Sequence, residues 1–195
     1  MSFSQDRDFQ SWYAFELDYN IFKKTQFSIN NEVRLRENST VYSRYFTDFS
    51  LKRKYNKYFS YAAGYRFLVD KDTNLEIKNR FYTDIYIKRN LLQRLNCNVR
   101  TRCQTQGDTS GYKTKFRQKF KFNYDVKKIK LDLLVAFEYF YSFEDKIEKF
   151  RYSFGFIKPL SKKVDLNLNY ILQKEFNSTS PQPISILRCK FSYDI

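Results

Sequence analysis

The chain has 195 residues, 36 Lys plus Arg against 21 Asp plus Glu, a formal charge of +15, 20% aromatics, 4 Gly and 3 Pro. That length is one domain by the usual prior, and so aromatic a chain is neither ordinarily disordered nor collagen-like. Histidine is absent, which removes imidazole as base, proton shuttle or metal ligand, and with it the Ser-His-Asp triad. No run of about 18 apolar residues exists, so no transmembrane helix is predicted.

The opening Met1-Ser2-Phe3-Ser4-Gln5-Asp6 has no charged or apolar signal region. Residues 1–10 are therefore expected to be the segment left after a signal peptide is removed, and residues 11–195 a single barrel domain. From residue 11 the sequence alternates apolar and polar with period two, the signature of half-exposed strands. Tyr13, Phe15, Leu17 and Tyr19 share one face, and Trp12, Ala14, Glu16 and Asp18 the other. Phe27, Ile29, Val33 and Leu35 oppose Glu32, Arg34 and Arg36; Tyr45, Phe49 and Leu51 oppose Arg44, Asp48 and Lys52. Next, Phe59, Tyr61, Tyr65, Phe67 and Val69 oppose Ala62, Gly64 and Arg66, and Leu75, Ile77, Phe81, Ile85 and Ile87 oppose Glu76, Arg80 and Asp84.

The alternation continues without fading. Leu95, Cys97, Val99 and Cys103 oppose Arg100 and Arg102. The phase then shifts by one, and Tyr112, Phe116, Phe120, Phe122 and Tyr124 oppose Lys113, Lys115, Arg117, Lys119 and Lys121. Leu131, Leu133, Val135, Phe137, Tyr139 and Tyr141 oppose Asp132, Ala136 and Glu138; the stretch Leu131 to Phe143 also reads as a helix in isolation. Phe150, Tyr152, Phe154 and Phe156 oppose Arg151 and Ser153, and Val164, Leu166, Leu168 and Tyr170 oppose Asp165, Asn167 and Asn169. Last, Leu187, Cys189, Phe191, Tyr193 and Ile195 oppose Arg188, Lys190 and Ser192. Short connections such as Glu37-Asn38-Ser39-Thr40, Asp70 to Asn74, Gln106 to Gly111 and Asn177 to Pro181 force neighbouring segments to pair antiparallel. Cys97, Cys103 and Cys189 match no metal or disulfide spacing and read as small apolar residues.

A long meander must hide its edges, and closure is the complete way to do so. The fold class predicted is all-β: one closed antiparallel up-and-down transmembrane β-barrel. The apolar face is expected to point outward, because each run covers the ~9–11 residues a tilted strand needs to cross a bilayer. No segment is left over for the central helix that a soluble barrel of this size requires. Tyr13, Tyr19, Tyr112, Tyr124, Tyr139, Tyr141 and Tyr193 near the run ends fit interfacial girdles. The segments number eleven, whereas single-chain bacterial barrels have even strand numbers, so ten or twelve wall strands are expected.

Tyr45-Phe46-Thr47-Asp48, Asn56-Lys57-Tyr58-Phe59, Gly64-Tyr65-Arg66-Phe67, Asn79 to Asp84, Lys149-Phe150-Arg151-Tyr152 and the opening Asp8-Phe9-Gln10-Ser11-Trp12 resemble an uncharacterised outer-membrane barrel family of Bacteroidetes. That family is catalogued as a domain of unknown function, and the resemblance covers nearly the whole chain. It implies an outer-membrane location in a Gram-negative cell and a single barrel, and it carries over no site.

With the apolar face in lipid, the polar face lines a lumen. The candidate lumen charges are Glu16, Glu32, Arg34, Arg36, Asp48, Arg66, Arg80, Asp84, Arg100, Arg102, Arg117, Glu138 and Arg151. They read as a ladder of ion pairs or as a cationic pore for anions. No metal or cofactor is expected. Lys113 to Lys121 is a lumen or rim face rather than a nucleic-acid site, and part of the positive charge is expected to meet outer-membrane lipid and lipopolysaccharide. Outer-membrane barrel phospholipases, deacylases and omptin-like proteases resemble the chain in architecture but use a histidine it lacks, so no enzyme is expected. Three functions stay open: a structural or accessory component, alone or in a larger outer-membrane complex; a small porin-like anion pore; and a soluble barrel binding an apolar ligand.

Overall fold

Period-two alternation in a chain rich in Phe, Tyr, Ile and Val suits a pleated surface whose two sides meet different surroundings. Every alternating segment is a strand in the computed structural model, which describes residues 8–71, 75–143, 146–176 and 183–195. The strands are β1 (Phe9–Phe22), β2 (Thr25–Arg36), β3 (Val41–Lys54), β4 (Phe59–Lys71), β5 (Leu75–Leu92) and β6 (Leu95–Asp108). They continue as β7 (Gly111–Val126), β8 (Leu131–Ser142), β9 (Lys146–Pro159), β10 (Val164–Glu175) and β11 (Ile184–Asp194), with one 3₁₀ turn at Lys127–Ile129. The segment from Leu131 that also suited a helix is a strand, because its outer and inner faces each find sheet neighbours in β7 and β9. Residues 1–7 of the expected N-terminal segment, and residues 72–74 and 177–181 of the expected turns, lie outside the described residues.

Each strand pairs with its neighbours in sequence, and β1 pairs with β11 to close the barrel. The wall has eleven strands, not the even number expected from barrel parity. The reason is geometric. An odd meander leaves its first and last strands running the same way, so the closing pair must be parallel. Phe9 lies opposite Ser185 and Asp18 opposite Asp194 in that parallel register, while all other pairs are antiparallel. Register shifts interrupt the ladders at Asn20/Phe22, Arg34/Leu35, Asn90/Leu92 and Phe140/Tyr141.

The apolar side of the wall faces out. Phe15, Phe81, Ile85, Leu133, Val135 and Phe154 are exposed, whereas Glu32, Asp84 and Glu138 on the opposite face are buried. Outward aromatics pack along the wall, as Phe137 does between Tyr152 and Phe150 at centroid distances of 5.3 and 5.5 Å. Cys97 and Cys103 lie on the outward positions of β6 and, with Cys189, are free thiols. The inner side holds a small apolar cluster of Trp12, Ile171 and Ile186. The rest of the interior is mainly charged, with Phe46, Leu68, Tyr82 and Phe140 buried among the ion pairs. The interior aromatics Trp12, Phe46, Tyr82 and Phe140 each have a guanidinium over the ring face.

Placing a cation mid-wall should cost far more than placing one in a turn. Phe137→Arg should lower stability in phospholipid vesicles by roughly 2–4 kcal/mol, and Leu160→Arg, in the turn after β9, by about 0–1 kcal/mol. Urea unfolding of the vesicle-inserted barrel measures both, and equal losses would contradict the outward assignment.

Candidate functional site

The inward positions of adjacent strands place opposite charges side by side. In the β2 register Glu32 lies between Ala14 of β1 and Phe46 of β3. Those small or flat neighbours leave its carboxylate open to two guanidiniums. Arg34 Nη2 sits 2.6 Å from Oε1 and Arg188 Nη2, reaching across the closing seam from β11, 2.8 Å from Oε2. Asp48 accepts from Arg66 of β4 at 2.5 Å and from the Tyr82 hydroxyl of β5. Asp84 takes Arg102 of β6 in a two-pronged pair at 2.7 and 2.6 Å, plus the Tyr86 hydroxyl at 2.8 Å. Glu138 is shared by Arg100 at 2.6 Å and Arg117 at 2.9 Å. Two-pronged and shared contacts of this kind are the strong class of charge-assisted hydrogen bond.

The guanidiniums are also stacked. Arg34 lies 3.6 Å over Trp12, Arg66 3.8 Å over Phe46, Arg102 3.6 Å over Tyr82 and Arg117 4.4 Å over Phe140. A ring face attracts a cation and excludes water from its other side. Each of these four arginines is thus held on one flank by a carboxylate and on the other by a π-face. Gly64 leaves room for one of the rings: a Cβ there would lie 2.2 Å from Tyr82.

These side chains enclose a cavity of about 330 Å³ lined by nine arginines and three lysines against three glutamates. Behind the lining stand further carboxylates: Asp48 and Asp84, Asp70 paired with Arg44, and Glu175 paired with Lys149 at 2.6 Å. Among the described residues, seven carboxylates pair with nine of the twelve lining cations, and twelve cations against seven carboxylates leave five positive charges over. Two members of the surplus are plain. Arg80, buried, has the amide oxygen of Gln106 as its acceptor at 2.8 Å, and Arg151 that of Gln173 at 2.6 Å. Among the described residues no three His, Cys, Asp or Glu side chains converge as a metal site.

Of the residues singled out from sequence, Glu32, Arg34, Arg66, Arg80, Arg100, Arg102, Arg117, Glu138 and Arg151 line the cavity, and Asp48 and Asp84 back it. Glu16 and Arg36 lie apart, Glu16 paired with Lys190 and Arg36 with Glu37 at 3.4 Å. Arg44, Lys149 and Arg188 line it as well. The alternation puts these three on polar faces, but it says nothing of depth along the barrel or of what crosses the seam.

A closed wall with an apolar exterior and an ionic interior defines an outer-membrane-type β-barrel. Residues 9–183 match the family described as "Protein of unknown function (DUF2490)", and the chain belongs to that family. No curated protein matches the sequence. Among solved structures, LpxR from Salmonella typhimurium is similar, with a TM-score of 0.59 and 8% identity over 87% of this chain and 83% of that one. LpxR is an outer-membrane lipid A deacylase. The expectation that this chain is not an enzyme is corrected by that finding, since an enzyme is built on a barrel of this fold. Lack of histidine removes imidazole chemistry and nothing wider. At 8% identity the likeness shows the fold alone and brings no catalytic residue.

Two substitutions test the internal packing. Glu138→Gln leaves Arg100 and Arg117 without their shared anion and should cost roughly 3–5 kcal/mol, the penalty for breaking a buried ion pair from one side. Gly64→Ala must displace the Tyr82 ring and its bond to Asp48, at about 1–3 kcal/mol. Both are read from denaturant midpoints of the folded barrel, and unchanged midpoints would refute the packing described.

Proposed function

We propose that this chain is a β-barrel of the bacterial outer membrane whose cationic interior takes up small anions from the aqueous phase. The observation that carries the reading is the charge surplus of twelve enclosed cations over seven carboxylates. Two like charges 4 Å apart repel by ~4 kcal/mol at an effective dielectric constant near 20. An enclosed surplus therefore draws in mobile anions, the same physics by which charged rings set pore selectivity. The location is supported by strands of 11 to 18 residues with apolar exteriors, since ~9–11 residues suffice to cross a bilayer.

The chain contains one tryptophan, Trp12, which lines the cavity beneath Arg34. Its fluorescence reports on the interior directly. Iodide should quench Trp12 more steeply than caesium at equal ionic strength. Gln106→Glu combined with Gln173→Glu, which gives Arg80 and Arg151 carboxylate partners, should reduce the iodide effect. Caesium quenching as strong as iodide quenching would sink the proposal. In a planar bilayer, current carried by chloride identifies passage through the barrel, and quenching without current identifies an anion-holding chamber.

A further inference from the structure

The two rims of the barrel differ in charge. The turns that join β1 to β2, β3 to β4, β5 to β6, β7 to β8 and β9 to β10 all lie at the rim where the C-terminus emerges. They contain nine cations, among them Lys23, Lys24, Lys127, Lys128, Lys162 and Lys163, and no Asp or Glu. All nine are exposed, and among the described residues none has a carboxylate partner. Among the described residues, the connecting segments of the other rim contain Glu37 and no Lys or Arg. The carboxylates nearest the basic rim, such as Asp18, Asp165 and Asp194, sit on inward positions of the wall.

The same basic turns carry exposed apolar side chains. Phe22 precedes Lys23-Lys24, Leu91 and Leu92 precede Arg94, Ile129 lies between Lys128 and Lys130, and Leu160 precedes Lys162-Lys163. Water alone gives no reason to place a large apolar group beside each lysine pair. A lipid interface does: the apolar group enters the acyl boundary while the cation reaches the phosphate layer. Resting on the membrane reading above, we infer that this rim binds the phosphate-bearing headgroups of anionic lipid and so fixes which way the barrel faces. Each lysine near an anionic surface strengthens association by roughly fivefold.

The test uses the full chain folded into phosphatidylcholine vesicles, with spin-labelled phosphatidylglycerol or spin-labelled phosphatidylcholine as probe. The wild type should immobilise the anionic lipid several-fold more than the zwitterionic one, and the preference should fall as salt rises. The variant K23Q/K24Q/K127Q/K128Q/K162Q/K163Q should lose it, while K71Q/K146Q at the other rim should keep it. No preference in the wild type, or equal loss in the two variants, would overturn the inference. So would displacement by inorganic phosphate beyond that of chloride at equal ionic strength, which assigns the rim to free phosphate instead. The salt titration needs no variant, and folding into the vesicles at all tests the membrane reading separately.

Discussion

Four carboxylates, Glu32, Asp48, Asp84 and Glu138, hold six guanidiniums inside a wall whose outer side is apolar. That arrangement decides what the barrel can be. Removing charge from water is expensive, and only well-placed partners offset the cost. The partners come from the next strand or the one beyond it: Arg66 reaches Asp48 from β4 to β3, Arg102 reaches Asp84 from β6 to β5, and Arg188 of β11 reaches past β1 to Glu32 of β2. The ionic network is thus also a set of cross-strand clamps fixing register. A slip of one residue would turn every member toward the apolar side. Ring faces complete the job, because Trp12, Phe46, Tyr82 and Phe140 cover the flanks of guanidiniums that no carboxylate reaches.

Much of this was legible in the sequence, for a physical reason. Period-two alternation encodes both the strand and its two environments, so segments such as Leu131 to Ser142 and Ile184 to Asp194 announce themselves and their faces together. The polar face likewise announces the charges, from Glu32 to Arg151. What alternation does not encode is height along the barrel. It gave no means to tell that Glu16 would pair with Lys190 away from the cavity while Arg188, one inward position back on β11, would line it. Parity misled for a related reason. An even strand number follows only if the closing pair is antiparallel, and nothing local to Phe9–Phe22 or Ile184–Asp194 specifies the direction of a partner at the other end of the chain.

The barrel likeness to LpxR at 8% identity illustrates how little chemistry a wall conveys. Both chains close a wall of strands, and in such a barrel what is done lies in the side chains pointed inward or mounted on the rims. Here the inward set is dominated by arginine, whose planar fork and weak hydration suit crowded, partly dry surroundings better than lysine. Lysine instead dominates the turns at the C-terminal rim. The two cations divide the molecule between them according to how much water each must shed.

The parallel closing pair has a consequence for how the molecule is assembled. Its ladder bonds are slanted and slightly weaker per residue than antiparallel ones, and they join the first segment of the wall to the last. Such a contact carries the largest loop-closure cost in the chain, which the intervening hairpins reduce by bringing its two strands together. Until then β1 and β11 each present a row of unpaired N–H and C=O groups, which acyl chains cannot satisfy. On the membrane location proposed above, insertion and circularisation would have to go together, with the two raw edges of the half-built sheet sheltered until they meet.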